Sequence, residues 1–331
     1  MERAGLMGHG GRIGAARLAF PSAPEPWLDL STGINPVAYP APAASAEARA
    51  RLPDPEQTAA LEAAAAAAFE VDDPARVAAV PGSEVALRIL PHLLAARSLA
   101  ILGPTYASHR SAWSQSPVQE VEACEQIGRD IEGLVLVRPN NPDGRVLAQE
   151  DLFAEIARRR FVIVDEAFVE TDPRISLAPL AGSGAATGLI VLRSFGKFYG
   201  LAGLRLGFVI ASPANAAAVR HLLGDWPVCA DALVAGLAAY PDCAWAESTR
   251  SRLRADAGRL DHLLVRSGFT TIGGTSLFRL VHAPDARRRF ERLAEAGILV
   301  RPFAHDPNHL RFGLPGSDAE FHRLATALGR A

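Results

Sequence analysis

The sequence predicts an α/β protein: a large domain on a mostly parallel central sheet, joined to a smaller α+β domain. Three observations carry this. Short apolar runs at Val77–Val80, Leu99–Leu102, Leu134–Val137, Phe161–Val164, Leu189–Leu192 and Leu206–Ile210 alternate with helical patterns such as Glu84–Ala96 and Gln149–Arg159. The runs are apolar on both faces, as strands covered by helices on both sides are. After about Trp226 the order changes, with two long helical stretches followed by four closely spaced strands.

Along the chain, the first 40 residues are rich in Pro and Gly and follow neither pattern, so they read as an extended arm. Ala63–Ala68 lies inside Thr58–Glu70, where alanine favours helix over disorder and Thr58 is the expected N-cap. The α/β alternation then runs to about residue 225. Beyond it, Ala230–Tyr240 and Cys243–Ser267 read as helices, Phe269–Ile272, Ser276–Val281, Ile298–Arg301 and His309–Phe312 as strands, and Pro284–Ala296 and Ser317–Leu328 as helices. The predicted organisation is a large domain over 41–225 and an arm over 1–40 packing with a small domain over 226–331.

Composition narrows the function. The 331 residues suit two domains, and 49% hydrophobic residues supply a core. Lys and Arg number 34 against 36 Asp and Glu, a net charge of −2, which lacks the positive excess a nucleic-acid binder needs. No apolar run reaches the ~18 residues of a membrane span. Met1–Gly14 lacks the apolar core of a signal peptide. Cys124, Cys229 and Cys243 form no CxxC pair and cannot all be bridged, which points to a reducing cytoplasm.

Four motifs carry chemistry. Ser194-Phe195-Gly196-Lys197, with Arg205 and its glycines downstream, puts a lysine in a small-residue turn after a buried strand. Desolvation there favours the neutral amine, the nucleophilic form. Asp165 ends the run Val162-Ile163-Val164, where α/β proteins place ligands and where Asp also serves as an ordinary N-cap. Pro139-Asn140-Asn141-Pro142-Asp143-Gly144 follows the strand Leu134–Val137, although such a run is also common turn chemistry. Gly82-Ser83-Glu84 joins a strand to a helix. Its glycine and first-turn N–H groups can receive a phosphate, and Ser83 can equally be a plain N-cap. Neither a P-loop nor a dinucleotide fingerprint is present; Gly8-His9-Gly10-Gly11 precedes no strand–helix unit.

Taken together, these motifs supply a Schiff-base lysine, an acid for a pyridinium nitrogen, a partner for a ring hydroxyl and a phosphate cradle, the needs of pyridoxal phosphate. In order and spacing the chain resembles the fold-type I aminotransferase superfamily over nearly its whole length. The resemblance implies that Lys197 is the Schiff-base lysine and proton shuttle and that Asp165 pairs with the ring nitrogen. It implies that Asn141 bonds the ring hydroxyl and Tyr106 stacks on the ring. Ser83, Ser194 and Arg205 would hold the phosphate with backbone help near Gly82 and Glu84. Arg311 would clamp the substrate α-carboxylate, for which a guanidinium fork suits a planar carboxylate. Many relatives have Tyr at the places of Phe168 and Leu52, and neither residue here can supply that tyrosine's hydrogen bond.

Within the superfamily, His9-Gly10-Gly11, Leu30-Ser31-Thr32-Gly33-Ile34-Asn35-Pro36, Arg193–Tyr199, Gly203–Gly207, Trp226-Pro227-Val228 and Ile298–Arg301 resemble the threonine-phosphate decarboxylases of cobalamin biosynthesis. That resemblance implies a cytoplasmic homodimer acting on a phosphorylated amino acid. It implies substrate contacts from Gly33, Asn35, Arg301 (on the phosphate) and His9, and no role for the other eight histidines. No metal is expected, because Asp306-Pro307-Asn308 breaks any helix that would align His305 with His309. Two alternatives stay open: a histidinol-phosphate-type aminotransferase sharing the same site, and a non-catalytic relative that binds the cofactor without turnover.

Overall fold

The computed structural model describes residues 6–304 and 306–329; His305 lies outside the described residues. The chain divides into two compact units, one of Ala38–Asn141 and Arg145–Ala246, the other of Met1–Val37, Pro142–Gly144 and Glu247–Ala331. The division falls later than Trp226, because 226–246 belongs with the larger unit.

In the larger unit the strands β2 (Val77–Val80), β3 (Leu99–Leu102), β4 (Val118–Val121), β5 (Gly133–Val137), β6 (Phe161–Asp165), β7 (Leu189–Ser194) and β8 (Gly207–Ile210) form one sheet in the order β2-β8-β7-β6-β5-β3-β4. β8 runs antiparallel to both neighbours, and the other strands share one direction. The sheet is therefore mostly parallel. Residues of β2, β3, β5, β6 and β8 are buried throughout, in keeping with their two-faced apolar runs. β4, which the sequence did not suggest, is a half-exposed edge on which Gln119 and Glu120 are both exposed. Helices α2 (Ala46–Ala50), α3 (Pro55–Ala68), α4 (Ser83–Leu94), α5 (Ala107–Ala112), α6 (Gln149–Arg158), α7 (Phe195–Phe198), α8 (Pro213–Leu223) and α9 (Ala230–Ala239) also belong to the unit. α3 starts earlier than Thr58: Asp54 occupies the N-cap and Pro55 the first turn, where its missing N–H costs nothing.

The opposite edge, β2, would expose unpaired backbone groups, a template for aggregation. Glu62 of α3 accepts the Ala79 N–H at 2.8 Å, and Arg220 of α8 donates to the Val77 carbonyl at 2.5 Å while pairing with Glu62 at 2.9 Å. Two side chains thus stand in for a neighbouring strand.

The smaller unit carries β1 (Leu28–Leu30), β9 (Thr270–Thr275), β10 (Phe278–His282), β11 (Ile298–Pro302) and β12 (His309–Gly313) in the order β1-β11-β12-β10-β9. With them go α1 (Ile13–Ala19), α11 (Ala286–Glu295), α12 (Asp318–Gly329) and most of α10 (Cys243–Arg266), which begins in the larger unit. The N-terminal region is not a plain extended arm. It contains α1, and β1 joins the sheet parallel to β11. Among the described residues, no helix is long and apolar enough to cross a membrane. Cys124, Cys229 and Cys243 are free thiols.

Candidate active site

The topology of the larger unit gathers nine predicted site residues at one edge of its sheet. β2, β3, β5, β6 and β7 all end there, and the antiparallel β8 begins there. Asp165, the last residue of β6, lies opposite Val137 of β5 and Leu192 of β7. Asn141 follows β5, Tyr106 follows β3, Gly82-Ser83-Glu84 follow β2, Ser194 ends β7, Lys197 sits in α7, and Arg205 precedes β8. This is the carboxyl edge at which open α/β sheets bind ligands.

At the start of α4 the N-cap is Gly82, not Ser83, with φ of +87°. A Cβ at Gly82 would lie 2.6 Å from the Arg205 guanidinium, and one at Gly207 would lie 2.6 Å from the Ser83 nitrogen. Glycine at both places is thus what allows Arg205 and the first N–H groups of α4 to crowd together. Arg205 itself takes the left-handed conformation (φ +54°), which aims it back over this turn. A guanidinium beside uncapped helix N–H groups, with the hydroxyl-bearing Ser83 and Ser194 at the same edge, suits a phosphate.

Asp165 is buried, and both its oxygens are engaged. Oδ1 accepts the Ala167 N–H at 3.0 Å, and Oδ2 lies 3.1 Å from Nε2 of His109. His109 is also buried, with no hydrogen-bond partner at Nδ1. A lone pair tolerates that better than an N–H does, so the arrangement favours the tautomer in which Nε2–H donates to Asp165. The expectation that no histidine besides His9 has a role is corrected here: His109 orients the acid. The Tyr106 ring lies edge-on to His109, with centroids 6.2 Å apart. Its hydroxyl donates to Glu84 at 3.2 Å, and burial pushes the phenol above its ordinary value. Asn140, one residue before Asn141, is buried; it donates to the Pro104 carbonyl at 2.9 Å and accepts from Thr105 at 2.7 Å, fixing the turn that presents Asn141. Lys197 is half-buried between the buried Phe195, Gly196 and Phe198. Phe168 is buried and offers no hydroxyl.

A second residue that sequence reasoning passed over is Arg193. It lies next to Ser194 in β7 with its side chain 2% exposed. It donates to Glu166 at 3.2 Å and Ser176 at 3.0 Å, pairs with Glu170, and stacks over Phe69 at 4.2 Å. Glu166 follows Asp165, so this pair ties the end of β6 to the end of β7. The signal was present in the sequence: an arginine directly after the apolar run Leu189–Leu192, at the end of a buried strand, must find a buried partner.

The remaining predicted residues lie in the smaller unit. Arg301 and Arg311 are direct cross-strand partners of β11 and β12 and therefore share a face. Arg311 is buried, donates to the Ser31 carbonyl at 3.0 Å and lies over Phe278 at 5.0 Å. Arg301 donates to the Gly8 carbonyl at 2.5 Å and lies over Phe303 at 5.6 Å. His9 is exposed on the next residue, and Gly10 packs against Ser31 so closely that a Cβ would meet its carbonyl oxygen at 2.3 Å. Gly33 is buried. Asn35 is buried, with its side-chain Oδ1 accepting from Arg252 at 2.7 Å and from the Val37 N–H at 3.1 Å. The described residues contain no group of His, Cys, Asp and Glu that could hold a metal ion.

Comparison with known proteins identifies relatives over nearly the whole chain. A threonine-phosphate decarboxylase from Sinorhizobium sp. is 41% identical over 97% of this chain and 97% of its own. Another from Pseudomonas aeruginosa is 38% identical over 98% of this chain and 97% of its own. The histidinol-phosphate aminotransferase of Sinorhizobium meliloti, solved in complex with pyridoxal-5'-phosphate, superposes with a TM-score of 0.76 at 22% identity over 86% of this chain and 83% of that one, a likeness of fold. The family model of class I and II aminotransferases matches residues 25–328. A lysine turn, a buried acid and a glycine-lined anion cradle on one sheet edge thus sit inside a full-length family match, and the chain is a member of the class I and II aminotransferase family.

Proposed function

We propose that this protein is a pyridoxal-phosphate-dependent decarboxylase that converts L-threonine O-3-phosphate to (R)-1-amino-2-propanol O-2-phosphate and carbon dioxide. The observation that carries the reading is the cross-strand pair of Arg301 and Arg311. Like charges placed opposite one another cost stability. A substrate with two anionic groups turns that cost into recognition, and threonine phosphate has a carboxylate and a phosphate. Full-length likeness to the threonine-phosphate decarboxylases supports the same choice.

The residues present fit the cofactor. Gly82, Ser83, the backbone at Glu84, Ser194 and Arg205 would hold its phosphate, Asn141 its ring hydroxyl, Asp165 its ring nitrogen, Tyr106 a ring face, and Lys197 its aldehyde carbon. When bound, pyridoxal phosphate supplies a sink for the electron pair left at the substrate Cα as carbon dioxide departs. Asp165, held by His109 and the Ala167 N–H, keeps a proton at the ring nitrogen. Arg311 binds the carboxylate and Arg301 the phosphate, with Gly33, Asn35 and His9 completing the substrate contacts. Fixing both anions sets which bond at Cα is aligned for cleavage. Lys197 then returns a proton to Cα through Nζ.

The same reading makes the protein a cytoplasmic homodimer whose product supplies the linker of the cobalamin nucleotide loop. Its three free thiols and the family resemblance support this. The testing experiment is product analysis with threonine phosphate and added cofactor, with Lys197→Ala as the blank. Carbon dioxide is expected in step with aminopropanol phosphate, without any 2-oxo acid. A requirement for 2-oxoglutarate with formation of glutamate would replace this reading with that of an aminotransferase. No turnover of any phosphorylated amine despite bound cofactor would leave a non-catalytic binder.

A further inference from the structure

The second residue of α4 is an acid, Glu84, in the turn whose N–H groups face the anion cradle. A carboxylate beside a phosphate site is a like-charge conflict, so it needs a reason. The reason lies in its partners. One oxygen of Glu84 accepts from the Tyr106 hydroxyl at 3.2 Å. The other accepts from Arg88 at 3.0 and 3.2 Å, a turn further along α4. Arg88 in turn donates to Ser111 at 3.0 Å, on α5. α5 is the helix that begins after Tyr106 and carries His109, the residue on Asp165. A chain of hydrogen bonds therefore runs from the start of the cradle helix to the ring of Tyr106 and to the helix that orients the acid.

We propose that Glu84 is a positioning residue: it anchors the Tyr106 ring against the cofactor face and thereby couples the phosphate cradle to ring orientation, at a cost in phosphate affinity. The proposal rests on the pyridoxal-phosphate reading above and adds a residue whose side chain touches Tyr106. Burial keeps the Tyr106 phenol protonated, as a donor to Glu84 must be. The two roles of Glu84 make opposite demands on its charge. Glu84→Gln keeps an acceptor for Tyr106 but removes the negative charge from the cradle. Glu84→Ala removes both.

The experiment measures pyridoxal-phosphate affinity by titration of the protein stripped of cofactor, the induced circular dichroism of the bound cofactor, and the thermal midpoint. Wild type, Glu84→Gln, Glu84→Ala, Tyr106→Phe and the double variant Glu84→Ala/Tyr106→Phe are compared. Glu84→Gln is expected to bind cofactor tighter, by roughly fivefold for one charge removed near a dianion, with the dichroism of wild type. Glu84→Ala should lose most of the dichroic signal. Adding Glu84→Ala to Tyr106→Phe should leave the dichroism where Tyr106→Phe alone puts it, because Glu84 acts through the hydroxyl. Equal dichroism in Glu84→Gln and Glu84→Ala, or additive effects in the double variant, would overturn the proposal, as would weaker binding by Glu84→Gln at an unchanged thermal midpoint. Wild type that takes up no pyridoxal phosphate would overturn the cofactor reading itself, and this proposal with it.

Discussion

Replacing Arg193 by methionine should destabilise the protein more than any other single change behind the site, and in a pH-dependent way. The side chain is 2% exposed and Glu166 is fully covered. Burial opposes the charge of Arg193, and Glu170 and Glu166 more than offset it. Methionine keeps an apolar stem but removes the guanidinium that lies over Phe69, and it leaves Glu166 and Glu170 without their cation. Breaking a buried pair by removing one partner costs about 3–5 kcal/mol, because the survivor is an uncompensated buried charge. Burial already raises the Glu166 carboxyl above its ordinary value, and Arg193 is the strongest influence holding it down. Without Arg193 it rises further. An acid whose folded-state pKa lies above its unfolded value keeps its full stabilising share below the unfolded pKa and loses it as pH rises through the folded one. The deficit of Arg193→Met should therefore be small near pH 5 and grow towards pH 8. Urea unfolding of wild type and variant at both pH values, followed by far-UV circular dichroism, measures it. A deficit under about 1 kcal/mol at neutral pH, or one that grows on acidification, would refute the reasoning.

Two further outcomes follow from the same hydrogen-bond geometry. His109→Leu removes the donor to Asp165 Oδ2 and should lower kcat by roughly ten- to a hundredfold, the worth of a hydrogen bond to a charged group, with KM for substrate little changed. Steady-state kinetics that instead show a raised KM at full kcat would remove His109 from the acid. Glu62→Ala strips the Ala79 N–H of its acceptor and Arg220 of its partner, for a loss of about 1–3 kcal/mol and a tendency to associate through the bared edge of β2. Thermal unfolding and light scattering check both parts, and a monodisperse variant with an unshifted midpoint would dismiss the edge-capping role.

The strands of the large sheet were legible because β5 and β6 are buried on both faces and carry unbroken runs of branched aliphatic residues. β4 was not, because a half-exposed edge strand with polar Gln119 and Glu120 has no such run. β1 is only three residues long and reads as strand only beside β11, 270 residues further on. At the site, Lys197, Asp165 and Arg205 were legible from local context: each sits at a strand end among glycines or apolar neighbours. His109 was not, because its role comes from a contact 56 residues away in sequence, and a lone histidine in a short helix carries no local mark. The misplaced caps have a physical cause too. Thr58 and Ser83 are good N-cap residues, but Pro55 fixes an earlier start for α3 and the left-handed Gly82 takes the cap of α4.

The N-terminal segment shows why its role could not be separated from that of the arginine pair. Arg301 and Arg311 face one another across β11 and β12, an arrangement that by itself repels. Each guanidinium meets a backbone carbonyl from that segment, Gly8 for Arg301 and Ser31 for Arg311, and each lies over an aromatic ring. Carbonyl dipoles and ring faces offset part of the repulsion without neutralising either charge. The carbonyls can be there only because β1 pairs with β11 and because Gly10 and Gly313 allow the chain to approach: a Cβ at Gly313 would meet the Thr32 carbonyl oxygen at 2.3 Å. The Pro- and Gly-rich composition that made the segment look like a loose arm is thus what lets it thread against the sheet. Gly10 within it and Gly313 in β12 allow the close approach of backbone to backbone that brings a carbonyl to each guanidinium, the arrangement the proposed function would use.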